Sequence, residues 1–234
     1  MTATDSNHPH RAEDWPPDLL EQSVRQAELR WLETWVRGPK DVRVSATPVQ
    51  VGDAAPDHLL QDSDGRWRRM SDFWKTRPVL FVFLRPLGCR CCDQRAARLR
   101  WESRVFEPMA DLVAVSQADP PRAATFRRRW SLEIPVLCDP DLEAHLGYGL
   151  REGTLPEVLF DRPTLRHDRA VGQALIEAGR AAGVRRADNP WILPGEFLVD
   201  ASGAVRLAYR YQHRCQIPEF ELLLRAVEAV VEGR

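Results

Sequence analysis

The chain has 234 residues, 44% of them hydrophobic and 29% charged, with a formal net charge of −1 at pH 7. That length supports one well-filled core, at roughly 150 residues per domain, and the balanced charge leaves no global field to draw the chain to nucleic acid or anionic lipid. No apolar run approaches the roughly 20 residues of a membrane helix, and the polar start MTATDSNHPHRAEDWPPD holds no signal-peptide stretch, so the expectation is a cytoplasmic protein.

The first fifteen or so residues read as disordered. From Asp18 to Gly38-Pro39, Leu19, Leu20, Val24, Ala27, Trp31 and Trp35 recur at helical spacing, giving an arm that packs on the body or on a second subunit. The expected division is an arm over residues 1–48 and a main domain over 49–234. In the main domain, Asp62-Ser63-Asp64-Gly65 turns between two short strands, and Ser71-Asp72 caps a single helical turn. Pro78 to Leu84 is a continuous apolar run, as in a strand buried on both faces. A helix is expected from about Arg90 to Phe106 and a second buried strand over Leu112 to Val115. Asp119-Pro120-Pro121 then opens a helix that ends near Trp130. Ile134 to Cys138 reads as a strand and Asp141 to Gly147 as a short helix. Residues 149–194 form a charged, mostly helical insertion whose one periodic stretch is Val171 to Ala182. Phe197 to Val199 and Val205 to Tyr211 form a hairpin, followed by an amphipathic helix from Pro218 to Val231. This order predicts an α/β protein with a central mixed sheet covered by helices on both faces.

Three of the five cysteines fall within four positions, in Leu87-Gly88-Cys89-Arg90-Cys91-Cys92. An odd number clustered in this way is a poor disulfide framework and points to redox chemistry or metal binding. Cys89 falls where a loop from the buried strand enters a helix, against unpaired backbone N–H groups and the positive end of the helix dipole. Such a position favours thiolate over thiol, and Arg85 and Arg90 add positive charge. Cys92, three residues on, shares a helix side with Cys89, whereas Cys91 does not. Helical spacing therefore favours a Cys89–Cys92 pair, with Cys91 competing if the first turn unwinds. Cys138 reads as a core residue, and Cys215 either as a distal resolving thiol or, the preferred reading, as an incidental surface residue.

The stretches VGDAAPDHLLQDSDGRWRRMSDFW, RPVLFVFLRPLGCRCCDQRAARL, IPVLCDPDLEAHLGYGL and PGEFLVDASGAVRLAYRY resemble the alkyl hydroperoxide reductase and thiol-specific antioxidant (AhpC/TSA) superfamily, and within it the peroxiredoxin-like branch. The resemblance implies a thioredoxin-like α/β/α sandwich and an oxidoreductase that works on a small peroxide or a disulfide, with a thioredoxin-like reductant and no cofactor. It implies Cys89 as the nucleophile and Cys92 as the second cysteine of the pair. It also places Pro194 where related folds keep a proline, often cis, facing the active cysteine. Pro194 and Gly195 then line the substrate side, with Gly195 relieving crowding. Glu196 becomes either a proton shuttle between the thiols or a solvent-facing strand residue. The chain departs from the peroxiredoxin pattern Pro-x-x-x-Thr/Ser-x-x-Cys, because Pro86 stands three positions before Cys89 and no Thr or Ser matches.

Two other readings compete. Close thiolates with a distant histidine, here His213, describe a copper or zinc module. A non-catalytic scaffold is the other, in which Trp31 and Trp35 anchor a homodimer through the arm.

Overall fold

The computed structural model describes residues 15–40, 42, 47–159 and 188–233. The expected disorder before residue 15 and the periodic stretch Val171 to Ala182 both lie outside the described residues. The elements run α1 (Pro17–Arg37), β1 (Leu59–Asp62), β2 (Trp67–Arg69), α2 (Ser71–Trp74), β3 (Val79–Phe83), α3 (Arg90–Phe106) and β4 (Asp111–Ser116), followed by α4 (Pro120–Arg129), β5 (Val136–Cys138), α5 (Glu143–Gly147), α6 (Leu155–Leu159), β6 (Gly195–Val199), β7 (Val205–Arg210) and α7 (Phe220–Val231).

The seven strands form one mixed sheet in the order β2-β1-β5-β4-β3-β6-β7. β3, β4 and β5 are parallel, and the remaining neighbours pair antiparallel. Every residue of β3 is buried, because the strand is central and both its faces are covered. Leu80, Val82 and Leu84 point to a layer containing Ala96, Leu99 and Phe106 of α3, Phe126 of α4, and Leu223 and Val227 of α7. Val79, Phe81 and Phe83 point the other way, against Phe73 and Trp74 of α2, Ala144 of α5, and Tyr148. The three-layer sandwich expected from the sequence is present.

Local chemistry sets most boundaries. Asp62 Oδ1 accepts from the N–H groups of Asp64 and Arg66 and so closes the β1–β2 turn. Asp119 caps α4 by accepting from the Arg122 N–H, with Pro120 and Pro121 in the first turn. β5 starts at Val136 rather than Ile134. Pro135 has no N–H to give the ladder, although its carbonyl accepts from Ala114 at 3.0 Å. β6 starts at Gly195, two residues before the expected Phe197, because Gly195 and Glu196 are poor strand formers held in register by Phe83 and Val82.

The arm helix α1 packs on the body. Trp35 stacks on Trp191 at 4.8 Å between ring centroids, and the Trp191 indole N–H donates to the Thr34 carbonyl at 2.8 Å. Ser23 donates to Asp119 at 3.0 Å, and Arg37 forms an ion pair with the buried Glu152. Trp31 stacks on Trp35 in turn, at 5.7 Å between ring centroids.

Candidate active site

The buried run of β3 ends in a loop, Leu84 to Gly88, that delivers the chain to α3. Gly88 has φ +86°, a backbone state that residues with a Cβ adopt at a cost. The turn places Cys89 as the N-cap of α3 in extended geometry, with its carbonyl accepting from the Asp93 N–H. The half-buried Cys89 side chain therefore faces the amino end of a 17-residue helix.

Around Cys89 the polar groups are few and specific. Arg85 is 6% exposed and fixed by donating to the Pro190 carbonyl at 2.7 Å and the Ile192 carbonyl at 3.4 Å. The Cys92 thiol is buried and lies 2.9 Å from the Arg85 carbonyl. A thiol has one proton, so the carbonyl and the Cys89 sulfur compete for it. Cys89 is lowered from 9.0 to about 6, chiefly because Cys92 donates to it, with the Arg85 charge adding and burial opposing. Cys92 moves the other way, pushed up first by burial and then by the neighbouring Cys89. The pair is thus split into a thiolate and a thiol that keeps its proton, which is the division that nucleophilic attack followed by resolution requires.

Cys91 does not compete for Cys89. It is bonded to Cys215, with the Cα atoms 5.5 Å apart, in a disulfide that ties the first turn of α3 to the turn after β7. The preferred sequence reading of Cys215 as an incidental surface residue is therefore corrected, since only a fold that brings α3 beside the end of β7 makes this pairing visible.

Pro194 borders the same narrow cleft as Cys91, Cys92, Arg85 and Arg95. Its peptide bond is trans, as are all those described, which corrects the expectation of a cis proline. A Cβ on Gly195 would lie 2.7 Å from Leu150 Cδ2 and 3.1 Å from the Tyr209 carbonyl, so the crowding that Gly195 relieves comes from the core. Glu196 is fully buried, which excludes the solvent-facing alternative. Its carboxylate accepts from Arg95 Nε at 2.8 Å and Nη2 at 3.0 Å, and from the Tyr211 hydroxyl at 2.8 Å. A carboxylate held in this way orients its neighbours; taking a proton from a thiol would mean giving up Arg95.

The sequence from residue 51 to 208 matches the AhpC/TSA family. The chain belongs to that family. A relative from Mycobacterium tuberculosis, named as a candidate peroxiredoxin, is 31% identical over 104 residues, covering 44% of this chain and 66% of that protein. The thiol-disulfide oxidoreductase ResA of Geobacillus thermodenitrificans is 28% identical over 114 residues, 47% of this chain and 62% of that one. The chain thus spans just under two thirds of the length of these relatives. The crystal structure of peroxidoxin BcpB from Mycobacterium tuberculosis superposes with a TM-score of 0.56 at 16% identity, covering 80% of this chain and 99% of that one, a likeness of fold.

In this AhpC/TSA chain the sequence reading located Cys89, Cys92, Arg85 and Pro194 around one junction but missed Arg95, Glu102 and Tyr211. A signal was available: Arg95 and Glu102 share the inward stripe of α3 with Cys92, Leu99 and Phe106. The Arg90 side chain lies outside what is described. Among the described residues no three His, Cys, Asp or Glu side chains gather to hold an ion.

Proposed function

We propose that the protein is a peroxiredoxin-like, thiol-dependent oxidoreductase whose nucleophile is Cys89 and whose resolving thiol is Cys92. The observation that carries this reading is the placement of Cys89 as the N-cap of α3 beside the buried Cys92 and the fixed, buried Arg85; the lowered Cys89 and raised Cys92 agree with it. With a hydroperoxide, the Cys89 sulfur attacks the outer oxygen and the O–O bond breaks. The alcohol leaves with a proton and Cys89 becomes a sulfenic acid. The Cys92 thiol then displaces water to give a Cys89–Cys92 disulfide. With a disulfide substrate, Cys89 forms a mixed disulfide that Cys92 resolves, releasing the reduced substrate. Arg85 holds the thiolate and the attacked atom in a positive field, and Pro194 borders the approach. A thioredoxin-like dithiol in the cytoplasm returns the enzyme to its thiol state. On this reading residues 49–234 form the redox domain and residues 1–48 its arm.

The missing hydroxyl before Cys89 favours disulfide over peroxide as the faster acceptor. The test is NADPH consumption coupled to thioredoxin and its reductase, with hydroperoxide or a protein disulfide as acceptor. Turnover that vanishes in Cys89→Ser supports the reading; no turnover with either acceptor sinks it.

A further inference from the structure

A reaction through Cys89 and Cys92 uses two of the five cysteines. Cys138 is buried in β5 with its thiol pushed up by burial, and it stands apart from redox chemistry. The other four meet at one place. Cys89 and Cys92 are free thiols, while Cys91 and Cys215, 124 residues apart in sequence, are joined as a disulfide. Cys91 and Cys92 border one cleft together with Arg95, Tyr211 and Arg214. Cys92 is only 2% exposed, whereas Cys215 is half-buried on the turn after β7. Of the inner pair only the half-buried Cys89 is open to a protein-sized reductant, and the Cys215 turn offers it a second half-buried sulfur outside the Cys89–Cys92 bond.

We propose that Cys91 and Cys215 form an outer redox pair that takes over the disulfide made at Cys89 and Cys92 and presents it to the reductant. This rests on the reading of Cys89 and Cys92 as the reacting pair. The Cys215 thiolate attacks the Cys92 sulfur, the Cys89–Cys92 bond breaks, and the Cys89 thiolate leaves. The Cys91 thiolate then attacks the Cys215 sulfur of the mixed Cys92–Cys215 disulfide, and Cys92 leaves and takes up a proton. Two electrons pass from the outer pair to the inner one. Of the two protons lost by Cys91 and Cys215, one goes to Cys92 and the other to solvent or Cys89. No further oxidant is consumed. The direction follows from the inner pair: stabilising the Cys89 thiolate makes it a good leaving group and stabilises the reduced form, so the inner disulfide is the stronger oxidant. The structure, with the outer pair oxidised and the inner pair reduced, corresponds to the state after transfer.

The test starts from fully reduced protein without oxygen. One equivalent of hydrogen peroxide or, in a parallel arm, of the aromatic disulfide dithiobis(nitrobenzoic acid) is added, and the bonds are mapped by mass spectrometry after acid quenching. The expected wild-type product is Cys91–Cys215 with Cys89 and Cys92 as thiols. In Cys215→Ser the product is Cys89–Cys92, whereas in Cys91→Ala, which blocks only the second step, it is Cys89–Cys92 together with the trapped mixed disulfide Cys92–Cys215. Wild type then accepts two equivalents of oxidant and either variant one. In Cys89→Ser the outer disulfide forms at least about tenfold more slowly, because its route through the inner pair is gone. Cys89–Cys92 persisting in wild type, or Cys91–Cys215 forming as fast in Cys89→Ser, overturns the relay. Transfer in the aromatic-disulfide arm with no peroxide consumed supports the relay and removes only the peroxidase branch.

Discussion

Arg95 and Glu196 meet as a two-point pair, Nε to Oε1 at 2.8 Å and Nη2 to Oε2 at 3.0 Å, where the buried side of α3 faces the start of β6. The third edge of the guanidinium reaches Glu102, which also accepts from Arg98, and Tyr211 donates to Glu196 at 2.8 Å. Burial opposes the charge on Arg95, but the two glutamates hold its proton more firmly than usual. Burial and the Glu196 charge push the Tyr211 hydroxyl up, so it remains a donor. The network joins the helix that carries Cys89, Cys91 and Cys92 to the strand that follows Pro194.

Removing the Glu196 charge leaves part of a buried guanidinium unpaired. Glu196→Gln is expected to destabilise the fold by about 3–5 kcal/mol, the usual result of breaking a buried pair. Tyr211→Phe loses one bond to a charged acceptor and is expected to cost about 1–3 kcal/mol. Urea unfolding of the two single variants and the double variant checks this. The double variant should lose less than the sum, because both changes act on one carboxylate. Additive losses would mean that the two residues act separately.

The pH dependence of Cys89 follows from the direction of its shift. Its folded pKa, about 6, lies below the ordinary thiol value of 9.0, so the ionised fraction rises from low pH through that point. Alkylation of Cys89 by iodoacetamide should be half-maximal near pH 6 and about nine-tenths complete in ionisation by pH 7. Because the folded pKa is depressed, ionisation of Cys89 stabilises the fold. That contribution is fully present above the ordinary thiol range and is lost as pH falls through about 6. Cys92→Ala removes the main donor to the thiolate and should move the midpoint upward, and Arg85→Met should move it in the same direction. Peptide mapping of the alkylated product against pH gives the profile. A midpoint in Cys92→Ala equal to that of wild type would exclude Cys92 as the donor.

Much of this arrangement was legible in the chain. The β3 run, the Cys89 position at the helix start and the bounds of α3 follow from apolar patterning and from where a loop must deliver the chain to a helix. Three features were not. Glu196 looks like a surface charge until β6 is packed against α3, because only its pairing with Arg95, a residue on the inward stripe of α3, makes its burial tolerable. The Cys91–Cys215 bond joins positions 124 residues apart, a distance over which local spacing carries no information. The trans state of Pro194 depends on tertiary contacts that a single X–Pro pair does not reveal.

The arm contributes to the body through Trp191. This side chain is 2% exposed, stacked on Trp35, and bonded through its indole N–H to the Thr34 carbonyl. It follows Pro190, whose carbonyl anchors Arg85, so the same short segment ties the arm to the residue that polarises Cys89. Trp191→Ala should cost about 3–5 kcal/mol through the lost contacts and cavity. It should also loosen Arg85 and raise the midpoint of Cys89 alkylation. Thermal unfolding and the alkylation profile measure the two effects together. A destabilised protein with an unchanged Cys89 midpoint would show that the arm supports the fold alone.

Gly195 tests how tightly the strand after Pro194 is seated. β6 is paired on both sides, with Phe83 opposite Gly195 in β3 and Arg210 opposite it in β7, so it has little freedom to shift sideways. An added Cβ would meet Leu150 Cδ2 at 2.7 Å, Phe197 Cε2 at 3.0 Å and the Tyr209 carbonyl at 3.1 Å. The Leu150 methyl can turn away, but the Tyr209 carbonyl belongs to the neighbouring strand and cannot move without displacing the ladder. Gly195→Ala is therefore expected to destabilise by about 1–3 kcal/mol, as an overpacked core position does. Because any relief must carry Pro194 with it, the cleft beside Cys91 and Cys92 should change shape as well. Slower reaction of the Cys89 thiolate with a bulky aromatic disulfide, at a pH where it is fully ionised, is the expected sign. A urea midpoint equal to that of wild type would mean that β6 yields more easily than its two-sided pairing implies.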